Sequence, residues 1–113
     1  MRADDEIRLR HMLDASREAV SFAKGCERTD LNGNRQLVLA LVKDIEIVGE
    51  AATQVSKPAQ EELRQIPWQQ IVGMRNRLIH AYFDINLDVV WNTVKRDLPG
   101  LIAQLEQSIP DKR

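Results

Sequence analysis

The sequence predicts an all-α fold, a bundle of four to five helices, and three observations lead there. Apolar residues recur at three- and four-residue steps along most of the chain, each set marking one buried helix face. Glycines, prolines and short polar stretches interrupt those runs. No segment reads as a convincing strand, and there is neither an internal repeat nor a low-complexity tract.

The first run extends from about Asp5 to Ala23, where Leu9, Met12, Leu13, Ser16, Val20 and Ala23 share a face. "KGCERTDLNGN", with two glycines, ends it. A second run opens near Gln36, with Leu37, Leu41, Ile45, Val48, Ala52 and Val55 in one stripe that Val38, Val42 and Ile47 widen. This helix is expected to be central. "SKPAQEELRQIPW" then breaks the pattern twice, because each proline lacks an amide donor and disfavours helix in the residue before it. A short helical turn fits between Pro58 and Arg64. Pro67 suits the first turn of a third long helix, placing Trp68, Ile71, Arg75, Leu78 and Tyr82 on one side. "FDIN" reads as a loop. Asn86 then caps a last helix with Asp88 in its first turn. Its stripe runs Leu87, Val90, Trp91, Val94, Leu98, Leu101, Leu105 and Ile109, and Pro99 should kink or divide it.

At 113 residues the chain is one domain's worth, residues 1–113, with 43% hydrophobic and 29% charged residues. No apolar run approaches the roughly 20 residues of a transmembrane helix, and "MRADDEIRLR" is too charged for a secretory signal, so a cytoplasmic protein with no membrane partner is expected. The single Cys26 has no disulfide partner and no neighbours for a zinc site, so no metal or cofactor is expected. A net charge of −1 excludes a strongly basic nucleic-acid binder. Any RNA site must be local.

The stretch that concentrates chemistry is "RNRLIHAYFD", Arg75 to Asp84. Read as helix, it makes Asn76 and His80 neighbours four residues apart, so the amide can orient the imidazole. Arg75 and His80 would be about 140° apart around that helix and about 7.5 Å along it. They converge only if the arginine bends round, if the helix loosens near His80, or if a second chain brings its own copy opposite. The chemistry would suit RNA cleavage by its own 2′-hydroxyl. Imidazole gives and takes protons near neutral pH. Guanidinium stabilises charge growing on phosphate oxygens. Two copies across a two-fold axis would gather positive charge in one cleft.

Arg75, four residues, His80, Ala81 and Tyr82 match the R-x4-H-x-Y motif of HepT-type toxins, a branch of the HEPN superfamily of small helical ribonucleases. "EIVGEAA" at Glu46 to Ala52, "IPWQQIVGMRNRLIH" at Ile66 to His80 and "VVWNTVKRDLPGLI" at Val89 to Ile102 resemble its blocks in order and spacing. The resemblance spans roughly Leu9 to Leu105. It implies a HEPN-type bundle, a homodimer with Arg75 and His80 of both chains in a composite interface site, and metal-independent RNA cleavage. It further implies a partner, an MNT-type minimal nucleotidyltransferase antitoxin, which in characterised members transfers AMP to the motif tyrosine, here Tyr82. The alternative is a non-catalytic HEPN-fold module that docks a nucleotidyltransferase.

Blander roles are expected elsewhere. Glu46 and Glu50, one helical turn apart, suit a solvated edge or partners for Arg75 or Arg77 better than acid–base work. Gly49 and Gly73 are read as sites of close helix approach, and Trp68 and Trp91 as anchors. Arg77 lines an RNA groove or is simply solvated. His11 is read as a surface residue, and Asp84 either caps a turn or orients Tyr82.

Overall fold

The computed structural model describes residues 1–81 and 84–110, and of residues 79–81 it describes the backbone. The chain is all-α apart from one small hairpin. Helix α1 (Ala3–Ala23) carries acidic Asp4, Asp5 and Glu6 in its first turn, complementing the helix dipole. It stops where Gly25 adopts a φ of +78°, a left-handed conformation that glycine takes without strain. A single turn, α2 (Asp30–Gly33), lies inside the stretch expected to be a plain interruption; it buries Leu31. Helix α3 (Arg35–Gln54) starts at Asn34, whose side chain accepts the Leu37 N–H at 3.0 Å. It packs along α1, and α1 also packs against the C-terminal helix. Leu9, Met12, Leu41, Ile45, Val48, Leu98 and Leu105 are all fully buried between these elements.

Helix α4 (Lys57–Glu62) begins at Ser56, which caps Ala59 N–H and ties the helix back to α1. The buried Asp5 carboxylate accepts the Ser56 N–H and the Ser56 hydroxyl, both at 2.8 Å, and the Arg2 N–H at 3.2 Å. The Ser56 backbone N–H, above all, holds the Asp5 carboxyl below its ordinary range. Its ionised form therefore stabilises the fold above the ordinary carboxylate range, and this is lost as pH falls through the lowered folded value. Asp5→Ala would strand the part-buried Ser56 donors and is expected to cost about 1–3 kcal/mol, read as a lower urea midpoint at pH 7. An unchanged midpoint would show that water replaces the carboxylate without loss.

The third long helix expected from Pro67 onward is two short ones, α5 (Trp68–Val72) and α6 (Met74–Leu78), broken at Gly73. Gly49 fits its expected role, since a Cβ there would stand 3.3 Å from the Ile71 carbonyl oxygen, within the contact of α3 with α5. Gly73 does not. A Cβ would meet only the carbonyls of Gln69 and Gln70, from its own helix, and the residue ends α5 instead. Trp68 is an anchor as expected, its indole N–H donating to Gln60 O and Leu63 O at 3.2 and 3.1 Å.

After Leu78 the chain becomes extended: β1 (Ile79–Ala81) pairs antiparallel with β2 (Asp84–Ile85), Ile79 opposite Ile85 and Ala81 opposite Asp84. For Asp84 and Ile85 this corrects the reading of "FDIN" as a loop, Phe83 lying outside the described residues, and it corrects the reading of the chain as lacking strands. Asn86 explains the change. Its N–H donates to Leu78 O at 2.7 Å, closing the hairpin with a carbonyl at the end of α6. Its side chain caps α7 (Leu87–Asn92) by accepting the Val89 N–H at 3.1 Å. Asp84 caps nothing in that helix and lies exposed in β2.

The last helical run is divided, as Pro99 requires. Thr93–Asp97 forms a π turn, in which Leu98 N–H reaches back five residues to Thr93 O, and α8 (Leu98–Ser108) follows with Pro99 in its first turn. A proline inside a straight α-helix would clash with the carbonyl four residues back, here Lys95. The wider turn accommodates it without ending the stripe, so Val90, Val94, Leu98, Leu101, Leu105 and Ile109 all stay buried. Trp91 is half-buried beneath the Lys95 ammonium, 4.9 Å from the ring centre.

Candidate functional site

Arg75, Asn76 and Arg77 are consecutive on α6 and all exposed, so a helical turn fans them apart. Arg75 alone of the three lines a groove of about 540 Å³ beside α1 and α3, with Arg8, His11, Lys43, Glu46 and Glu50. Its Nε donates to Glu46 Oε2 at 2.8 Å, the arginine side chain 56% exposed and the glutamate 30%. At that exposure the pair contributes at most about 1 kcal/mol to stability. Its consequence is orientation: a flexible arginine is held at the groove wall by a carboxylate of the neighbouring helix. Glu46 is therefore an arginine partner, one of the two readings its sequence allowed. Glu50 carries no arginine partner among the described contacts and meets Gln54 Nε2 at 3.5 Å.

His80 lies two residues past the end of α6, in β1, so the four-residue helical spacing that would set Asn76 beside it does not hold. A strand rises about 3.3 Å per residue rather than 1.5 Å. Release of the chain from helical geometry is one of the three routes by which Arg75 and His80 could converge. The His80 side chain and Tyr82 lie outside the described residues, so those two assignments stand as expectations. Among the described residues no group of three or more His, Cys, Asp or Glu side chains is placed to hold a metal ion, and no helix is long and apolar enough to cross a membrane.

A model of the family described as ribonuclease HepT-like matches residues 12–108. The chain belongs to the ribonuclease HepT-like family. Among its relatives, "Putative RNase TTE0752" of Caldanaerobacter subterraneus subsp. tengcongensis is 31% identical over 93% of this chain and 94% of its own length. "Putative RNase MJ1380" of Methanocaldococcus jannaschii is 30% identical over 84% of this chain and 87% of its own. "Probable ribonuclease HepT" of Thermococcus cleftensis is 35% identical over 66% and 67%. No solved structure matches the chain significantly.

The HepT-like chain has a second feature where α1 packs against α3. His11, Asp14, Ala15 and Glu18 of α1 and Asp44 and Ile47 of α3 bound a cavity of about 220 Å³, which shares His11 and Ile47 with the Arg75 groove. Asp44 is 2% exposed, and its Oδ2 has no hydrogen-bond partner among the described residues. A signal was present: Leu37, Leu41, Asp44, Val48, Ala51 and Val55 step by fours and threes, so Asp44 falls on the buried stripe of α3. Arg8 and Lys43 carried no such signal, because exposed cations on helices are ordinary.

Burial, and the carboxyl of Glu18 beside it, push the Asp44 carboxyl from an ordinary 3.8 up to about 7. Between those values the folded state holds a proton that the unfolded chain has released. Stability should therefore fall as pH rises from about 4 to 7, with the full cost present above. Asp44→Asn keeps the shape without the charge. It is expected to raise the melting temperature at pH 8 by about 4–8 °C for each 1 kcal/mol relieved, and to change little at pH 4. An equal shift at both pH values would contradict the raised carboxyl.

Glu46 can be tested through its two actions on Arg75. Glu46→Gln keeps an acceptor for Nε but removes a charge that competes with phosphate, so RNA should bind more tightly at low salt, an advantage that fades as salt rises. Glu46→Ala also removes the hold on Arg75, and any gain in binding should come with slower cleavage. Identical behaviour of both variants and the parent would mean that Glu46 does not govern Arg75.

Proposed function

We propose that this HepT-like chain is a metal-independent endoribonuclease, the toxin of a toxin–antitoxin pair, acting in the cytoplasm as a homodimer. Arg75 binds the scissile phosphate and stabilises its developing charge, and His80 is the general acid or base. Arg77 contacts RNA outside the groove. An MNT-type nucleotidyltransferase neutralises the toxin by transferring AMP to Tyr82, adding negative charge that repels RNA phosphates.

The observation that carries this reading is Arg75 held by Glu46 at the wall of a groove that also gathers Arg8 and Lys43. Those cations offer a local phosphate path on a protein whose net charge is −1. Membership of a ribonuclease family supports the same chemistry. Two measurements test it together. Incubation of purified protein with single-stranded RNA in excess EDTA should yield cleavage, and sedimentation at micromolar concentration should give a dimer. No cleavage by the dimer would favour the docking module, and a clean monomer would remove the composite site.

A further inference from the structure

We propose that the groove beside α1 and α3 selects its RNA by length, with Lys43 and Arg8 holding the phosphates on either side of the one that Arg75 binds. This rests on the reading of Arg75 as the ligand of the scissile phosphate. Arg8 from α1, Lys43 from α3 and Arg75 from α6 line one groove. Only Arg75 has a carboxylate partner. Arg8, though partly buried, and Lys43 form no ion pair or side-chain hydrogen bond among the described residues. Glu46, three residues on from Lys43 and lining the same groove, is engaged by Arg75 instead.

The packing of α1 against α3 sets the order of the cations. Asp5 of α1 bonds Ser56 just beyond α3, while Glu18 of α1 lies beside Asp44 in α3, so the two helices run antiparallel. Going back along α1 from Glu18 to Arg8 therefore advances along α3 from Asp44 to about Gln54, which lines the same groove. Lys43 and Arg8 are thus at opposite ends, roughly 15 Å apart along the helices at about 1.5 Å per residue. Arg75 stands between them, held by Glu46 about one helical turn from Lys43.

Charge balance turns that order into selection. Glu46 and Glu50 line the groove with the three cations, so one phosphate entering alone gains little over its solvated state. A segment that also reaches Lys43 and Arg8 gains from each and releases a counterion at each. Proteins that hold single strands track the backbone with a charged groove in this way. The strand must be single, because in-line attack by a 2′-hydroxyl needs a backbone free to leave helical geometry. A dinucleotide has one phosphodiester and can engage Arg75 alone.

Competition binding with 2′-O-methyl uridine oligomers, which lack the nucleophile and are not cut, separates this inference from the nuclease reading. At low salt the octamer is expected to bind at least about tenfold more tightly than the dinucleotide. Lys43→Gln and Arg8→Gln should each weaken octamer binding about three- to tenfold, lower the slope of log affinity against log salt by about 0.7, and leave the dinucleotide unchanged. Lys57→Gln, which removes the same charge outside the groove, should do none of these. Absent or length-independent binding of the octamer would overturn the proposal. So would groove variants that behave like Lys57→Gln, or a duplex of equal length that binds as well as the octamer. If the octamer binds as expected and no RNA is cleaved, the subsite stands and the nuclease reading fails.

Discussion

His80→Ala is expected to lower RNA cleavage by about 10²–10⁴-fold, the usual cost of losing one general acid–base group, with the helical circular dichroism signal retained. The reason lies in the reaction. Attack by the 2′-hydroxyl needs its proton removed and the leaving 5′-oxygen needs one supplied, and imidazole is the side chain suited to either task at neutral pH. The position adds to the expectation. His80 follows α6 on an extended segment, so its replacement leaves the buried helix anchors Met74 and Leu78 in place. Arg75→Ala should also slow cleavage, while Arg75→Lys keeps charge without the planar fork and should recover only part of it. A His80→Ala protein that cleaves like its parent would make His80 structural.

Tyr82→Phe is expected to abolish modification by the partner while leaving much of the nuclease activity. Only the phenol oxygen can attack the α-phosphorus of ATP to form the phosphodiester, releasing pyrophosphate and its own proton. Phenylalanine removes that oxygen and keeps the aromatic ring. Intact mass after incubation with the nucleotidyltransferase and ATP should show AMP on the parent and none on the variant. An undiminished adduct on the variant would place the modification elsewhere.

Most of the helical frame was legible because burial imposes a period that side-chain type reports directly. The stripes of α1, α3 and the last helical run lie where Leu9, Leu41 and Leu98 put them, and Asn86 and Pro99 act as cap and divider. The third helix was misjudged because Trp68, Ile71, Arg75 and Leu78 keep a helical period across a break at Gly73. Periodicity does not register one interrupted turn. The hairpin was missed because its strands are three and two residues long, too short for alternation to show, and depend on Asn86 bonding back to Leu78. At the site, Arg75 and a glutamate partner could be anticipated, since opposite charges in neighbouring blocks are readable. The groove's Arg8 and Lys43, and the Glu18 carboxyl set beside buried Asp44, come from the packing of α1 against α3 and needed the fold.

With Arg75 and His80 in place of a metal, RNA would be cleaved by attack of the RNA's own 2′-hydroxyl on the adjacent phosphate. Mass spectrometry of the RNA products formed in EDTA tests it most directly. The expected products carry 2′,3′-cyclic phosphate and 5′-hydroxyl ends and are absent from reactions with His80→Ala; 5′-phosphate and 3′-hydroxyl ends, or cleavage that appears only when a divalent ion is restored, would contradict a metal-independent Arg75–His80 site.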